Sequence, residues 1–402
     1  MTQSMAAKDR QSADLDAVLA AAVRDAAAPG IVAGVTSADG VRYTGAFGRR
    51  DLAQRQDMAR DTVFWIASLT KAITTTAALQ LVEQERLSLD ADAGDVLPQL
   101  KSVPVLAGFD ADGAPRLRAA ARPITLRSLL THTSGFTYFS WHADTARYID
   151  HAGLPGLFTC EDAALATPLA HDPGAGWNYG IGLDWVGKLV EAVSGKSLET
   201  YFRDHVFDPL GMPDTAFRIR PDMRARLARV YERAPDGFRE IALELPQDPE
   251  FLMGGGGLYS TVPDYLRFLR MILNDGELDG ARILAPATVA AMCRNQIGEL
   301  NVPRLVSTEP GGHDLELFPG ITKKWGFGFL INAEAVPTGR SAGGLSWAGT
   351  ANCYYWIDRR RGIAGVTMMQ FVPFADPRAI DTALAFETAV YAGLDPAAPM
   401  AM

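Results

Sequence analysis

Asp61-Thr62-Val63-Phe64-Trp65-Ile66-Ala67-Ser68-Leu69-Thr70-Lys71 leads directly into Ala72-Ile73-Thr74-Thr75-Thr76-Ala77-Ala78-Leu79. Val63 to Ile66 read as a short strand, because branched and aromatic side chains suit a half-buried pleat. The small, apolar stretch after them reads as a helix to about Arg86, with Leu87-Ser88-Leu89-Asp90 leaving it. A serine and, three residues on, a lysine stand at the join. Residues three apart share one face of a helix, so the Lys71 amine reaches the Ser68 hydroxyl. An adjacent amine is one way to activate serine, a weak nucleophile by itself. Chance supplies roughly 0.3 Ser-x-x-Lys matches in a chain of this size and composition. The spacing alone fits a buried helix start with a solvated lysine equally well.

Outward from that stretch, residues 13–27 place Leu15, Val18, Leu19 and Val23 at helical spacing, and Pro29-Gly30 stops the pattern. Ile31–Val35 and Val41–Phe47 flank Asp39-Gly40, a hairpin signal. From about 95 to 250 the pattern turns to helices and loops. Thr125 to Gly135 reads as a helix closed by a glycine turn, Leu183–Val193 as an amphipathic helix, and Ser197–Val206 as another. Strand character returns at Gly254–Ser260, followed by a helix over Pro263–Leu273 and one near 286–293. Three closing strands are expected at Trp325–Ile331, Leu345–Asp358 and Gly362–Phe371, then a helix over Pro377–Tyr391. The implied architecture is α+β: an antiparallel sheet flanked by helices, built from 1–95 and 250–402, with a mostly helical unit at 96–249 inserted. Clefts form at such junctions, and Ser68 stands near this one.

The composition narrows the function classes. At 402 residues the chain has room for two such units. A hydrophobic share of 48% with 21% charged residues is that of an ordinary soluble globular protein. A net charge of -9, without basic runs, argues against nucleic-acid partners or an anionic membrane surface. Cys160, Cys293 and Cys353 form no Cys-x-x-Cys pair and read as reduced, buried thiols. The six histidines make no His-Glu-x-x-His and no close pair, so no metal is expected. No phosphate loop or dinucleotide fingerprint follows a strand, and no cofactor is expected. No apolar h-region precedes Asp9-Arg10 and no run reaches the length of a membrane span, so a cytoplasmic location is expected.

Five blocks then carry a resemblance. They are Ser68-Leu69-Thr70-Lys71, Leu129-Leu130-Thr131-His132-Thr133-Ser134-Gly135, Pro173-Gly174-Ala175-Gly176-Trp177-Asn178-Tyr179, Gly255-Gly256-Gly257-Leu258-Tyr259-Ser260, and Trp347-Ala348-Gly349. In this order and spacing, over nearly the whole chain, they resemble the serine hydrolases of the β-lactamase and penicillin-binding-protein fold. Within that group they are most similar to family VIII carboxylesterases, themselves similar to class C β-lactamases.

The resemblance implies that Ser68, Lys71 and Tyr179 are catalytic. A phenol near pKa 10 becomes a usable base when an ammonium lies close, so Tyr179 and Lys71 would share the Ser68 proton. It also implies an oxyanion hole made by the backbone N–H groups of Ser68 and Thr350, with the helix dipole assisting at Ser68. Where penicillin-recognising relatives carry Lys-Thr-Gly or His-Thr-Gly, this chain has Trp347-Ala348-Gly349. Indole offers stacking area and one N–H donor but no positive charge. Ala348 replaces the middle glycine of the esterases and narrows the pocket. Ile181 stands where β-lactamases and peptidases place an amide-binding Asn. The missing cation at Trp347 and the missing amide at Ile181 turn the expected substrate from an anionic lactam to a neutral ester.

Tyr138, Phe139 and Trp141 form an aromatic-rich loop read as an acyl-pocket rim. His132 is read as structural, holding its turn by side-chain hydrogen bonds. Gly344-Leu345-Ser346-Trp347-Ala348 nearly matches the nucleophile elbow of α/β-hydrolases, but that order needs a later histidine and the last is His313. The expectation is a carboxylesterase acting on a small-molecule ester through an acyl-enzyme. A β-lactamase, D,D-peptidase, D-amino-acid amidase or acyltransferase on the same fold remains open, as does a silent binding module. Oligomeric state is left open.

Overall fold

The computed structural model describes residues 2–394, with side chains from residue 10 onward. Its frame is one eight-stranded antiparallel sheet drawn from the two ends of the chain. The strands are β1 (Gly30–Ser37), β2 (Val41–Asp51), β3 (Gln56–Asp57), β4 (Lys323–Trp325), β5 (Leu330–Asn332), β6 (Leu345–Gly349), β7 (Cys353–Asp358) and β8 (Ile363–Met368), ordered β4-β5-β6-β7-β8-β1-β2-β3. The first hairpin forms as its Asp39-Gly40 turn implies, with Ile31 opposite Phe47 and Ala33 opposite Gly45.

Side chains alternate across the sheet, so each face has its own cover. On one face Leu15 and Leu19 of α1 (Thr2–Arg24) meet Ile31, Ala33, Tyr354 and Trp356, together with Phe386 and Val390 of a helix at Pro377–Ala392. Leu19 is fully buried, and truncating such a residue to alanine costs about 2–5 kcal/mol. The other face packs against α2 (Thr70–Glu83) and the helix Val262–Leu273. A Cβ at Gly34 of β1 would lie 2.6 Å from Leu266 Cδ1, so glycine there permits the close approach of that helix.

Several elements differ from expectation. The first helix ends at Arg24, before the Pro29-Gly30 stop. The single strand expected over Leu345–Asp358 is a hairpin of β6 and β7, turning where Asn352 takes a φ of 61°, a conformation asparagine tolerates better than most residues. Trp325–Ile331 likewise splits between β4 and β5 around Gly328, φ 81°. Between 96 and 249 two hairpins join the helices: Val105–Phe109 with Pro115–Arg118, and Tyr231–Ala234 with Gly237–Glu240. The second pairs with Phe371–Val372 beyond β8. Among the described residues no helix is long and apolar enough to cross a membrane.

Candidate active site

Phe64–Trp65 pairs antiparallel with Tyr259–Ser260 and delivers the chain to Ser68. The joint is bolted on several sides. Ile66 N donates to Leu258 O at 3.0 Å, Trp65 Nε1 to Gly256 O at 2.7 Å, and Trp65 N to Gln370 Oε1 at 2.8 Å. Tyr265 Oη donates to Leu69 O at 3.1 Å. Ala67 is held at φ 45°, left-handed backbone that costs a residue with a Cβ on the order of 1–3 kcal/mol. Ser68 therefore rides on a strained, tightly anchored turn of 3₁₀ helix, Ala67–Leu69, that runs on into α2.

Lys71 lies one turn further, fully buried. Its Nζ donates to Ser68 Oγ at 3.0 Å, to Tyr138 Oη at 2.9 Å and to Gly255 O at 2.6 Å. The same nitrogen sits over the Tyr179 ring, 4.7 Å from its centroid. Burial pulls the Lys71 ammonium down to about 7, and the carboxylate of Asp184 resists that shift. Asp184, also fully buried, belongs to α3 (Gly182–Ser194), and burial raises it to about 6 while Lys71 opposes.

Tyr179 completes the group in a way the sequence did not imply. The lysine faces its ring instead of its oxygen, and burial raises the phenol above its ordinary value, with Ser68 and Trp347 facing the oxygen and pulling the other way. Tyr179 is thus held as a protonated phenol, and the group drawn towards a basic state at neutral pH is Lys71. Where the sequence led to Tyr179 and Lys71 sharing the Ser68 proton, the structure sets the amine against the ring of Tyr179 and Ser68 at its oxygen.

These residues floor a cleft of about 600 Å³ whose wall is mostly apolar and aromatic. Ser68, Tyr179, Thr350 and Ala348 line it, as do Tyr138, Phe139 and Trp141. Among the described residues, no acceptor takes the backbone N–H of Ser68 or of Thr350. Three residues expected at the substrate are elsewhere. Trp347 is buried behind Tyr179, its Nε1 donating to Tyr179 Oη at 2.9 Å and its ring edge-on to Tyr179 and Trp325. Ile181 is 3% exposed and packs into the core just before α3. Gly349 serves the backbone fit, since a Cβ there would lie 2.5 Å from Ile66 O.

His132 is structural, but not by side-chain hydrogen bonds: its buried Nε2 has no partner. It acts through its backbone, accepting from Asn178 N at 3.0 Å, and through edge contacts with Tyr179 and Trp325. His142 caps the helix Ala143–Ala152 by accepting from Thr145 N. Ser346 lies buried within β6. The residue that sequence reasoning missed is Asp184. Its only signal was a carboxylate flanked by Leu183, Trp185 and Val186 on a helix expected to bury that stretch.

A family profile described as Beta-lactamase matches residues 15–390. The chain is 34% identical over 396 residues to monacolin J acid methylbutanoyltransferase of Aspergillus terreus, covering 92% of this chain and 93% of that one. It is 35% identical over 379 residues to lovastatin esterase of Penicillium rubens, covering 89% and 92%. The solved structure of unliganded simvastatin synthase from Aspergillus terreus superposes with a TM-score of 0.80 at 32% identity, covering 95% and 98%. The chain is a member of the beta-lactamase family, an enzyme of the serine hydrolase and acyltransferase type.

Proposed function

We propose that this enzyme moves an acyl group through an acyl-Ser68 intermediate, with an alcohol acceptor as the favoured second nucleophile and water as its competitor. The observation that carries the reading is Lys71 Nζ, buried beneath the cleft, drawn towards neutrality and 3.0 Å from Ser68 Oγ. As Ser68 Oγ attacks the carbonyl carbon, its proton passes to the Lys71 amine. The tetrahedral oxyanion faces the N–H groups of Ser68 and Thr350, donors worth about 3 kcal/mol each in comparable sites. Collapse breaks the bond to the leaving oxygen or sulfur, which takes up the proton held by the Lys71 ammonium while the Tyr179 phenol donates a hydrogen bond to it. The acceptor hydroxyl then attacks the acyl carbon, loses its proton to the same pair, and Ser68 regains its own.

Transfer is favoured over the hydrolysis first expected because the cleft wall is apolar and large. An acceptor that fills it excludes water from the acyl-serine, and the relatives named above include a transferase as well as an esterase. An anionic lactam is disfavoured: Arg233 in the wall is committed to Asp376 and to the carbonyls of Ala26 and Ala27.

The test supplies a butyryl thioester as donor and a bulky apolar secondary alcohol as acceptor. The expected result is ester product exceeding free acid at saturating acceptor, with both lost in Ser68→Ala. Free acid alone, insensitive to the acceptor, would make the enzyme a hydrolase. Full turnover in Ser68→Ala would remove the acyl-serine altogether.

A further inference from the structure

We propose that Asp184 is a positioning residue for Lys71, acting through Gly255 as a hydrogen-bonded link and as the buried counter-charge to the Lys71 ammonium. This inference rests on the acyl-Ser68 reading above. Gly255 N donates to Asp184 Oδ1 at 2.8 Å, and Gly255 O accepts from Lys71 Nζ at 2.6 Å. One glycine is therefore gripped at both ends, by a carboxylate on α3 and by the amine beside Ser68. The fit leaves no slack, because a Cβ on Gly255 would lie 2.6 Å from Asp184 Oδ2.

Asp184 has no ordinary reason to be a carboxylate. Both it and Lys71 are completely buried, and Asp184 Oδ2 has no hydrogen-bond partner. A buried charge with an unfilled acceptor is costly unless an opposite charge compensates it. Asparagine would make the same bond to Gly255 N without that cost. What asparagine cannot supply is negative charge beside an amine that must be protonated in one half of each turnover and neutral in the other. Placement in the first turn of α3 adds the favourable end of the helix dipole to the carboxylate.

The other groups around the pair do not replace it. His132 and Tyr138 face Lys71 from the loop after the helix Leu126–Leu130, Tyr179 from the segment before α3, Tyr355 faces Tyr179 from β7, and Cys160 faces Asp184. Burial holds His132 neutral and keeps the three phenols and the thiol protonated. Asp184 is the one anion in this set.

The experiment follows the pH dependence of Ser68 labelling by a fluorophosphonate, read by mass spectrometry, in wild type and Asp184→Asn. The expected result is a slower reaction whose acid limb moves down by about one pH unit, since the ammonium loses its counter-charge. A folded Asp184→Asn with an unmoved limb overturns the proposal. Absence of any Ser68 adduct in the wild type overturns the acyl-enzyme reading instead, so the two failures are distinct.

Should Asp184→Asn not fold, Lys71→Met reads the same coupling from the other side. A carboxylate raised in the folded state contributes stability at low pH that is lost as pH rises through its folded value. Removing the ammonium raises Asp184 further, so the urea midpoint of Lys71→Met should keep falling above pH 6, unlike wild type. An unchanged pH dependence of that midpoint also overturns the proposal.

Discussion

Trp347 Nε1 donates a hydrogen bond to Tyr179 Oη at 2.9 Å from behind the cleft wall. The indole thus fixes which lone pair of the phenol is occupied and turns the phenolic proton towards Ser68 and the leaving group. Trp347 does not line the cleft, so under the proposed acyl transfer its indole acts on the phenol and not on the substrate.

Trp347→Phe keeps the aromatic packing against Trp325 and removes only the donor. One such hydrogen bond is worth about 1–1.5 kcal/mol, so kcat should fall roughly tenfold with KM nearly unchanged. Steady-state kinetics on a short ester checks it; a raised KM at constant kcat would place the indole at the substrate after all.

The rate should follow the protonation of Lys71. The amine accepts the Ser68 proton only when neutral, and burial brings it to about 7. The kcat/KM of the free enzyme should therefore climb with pH up to that value and level off above it. A profile flat from pH 5 to 9 would mean that another group is the base.

Tyr138 offers Lys71 one of its three acceptors, at 2.9 Å. In Tyr138→Phe the amine keeps only Ser68 Oγ and Gly255 O and loses a hydrogen bond to its charged form, worth about 1.5–3 kcal/mol. Acylation should slow by about ten- to a hundredfold for all esters alike. An effect confined to bulky substrates would assign Tyr138 to the cleft wall alone.

Phe158 is 37% exposed at the cleft, its ring edge-on to Trp65 at 5.6 Å. Phe158→Ala should weaken a bulky apolar acceptor by about 1.5–3 kcal/mol of lost burial, seen as a higher acceptor KM. Donor hydrolysis without acceptor should stay within a factor of a few.

Away from the site, Arg340 and Glu387 tie the C-terminal helix to the loop before β6. Both are buried, with Nε and Oε1 2.9 Å apart; that approach is a charge contact, and the directed hydrogen bond runs from Nη2 to Oε2 at 3.5 Å. Arg340→Met strands a buried carboxylate and should cost about 3–5 kcal/mol. Urea unfolding measures it, and a loss under 1 kcal/mol would show that Glu387 simply takes up a proton.

Ser68 and Lys71 were legible because their relation is local: three residues on a helix fix a distance whatever surrounds them. Their directions of titration were not legible, because a lysine's pKa depends on how completely the fold removes water from it. The same is true of Tyr179, where burial outweighs the hydrogen bonds to Ser68 and Trp347 and raises the phenol. Trp347 and Ala348 were both expected at the substrate; as neighbours on β6 they face opposite ways, and the fold turns Ala348 to the cleft. The hairpins at 105–118 and 231–240 were missed because short strands carry little periodicity; besides pairing with each other, they lean on Leu169 and on Phe371–Val372, which are distant in sequence.

By itself the sequence determined the local parts: a serine–lysine helix start, a glycine run, and an antiparallel frame whose first turn is written in Asp39-Gly40. Those are matters of local spacing and backbone conformation, which few residues decide. Only the tertiary structure decided how the parts share protons, since that required burying Lys71 and Asp184 together, on two helices, at either end of one glycine. Desolvation is a property of everything packed around a charge, and no short stretch of chain contains it.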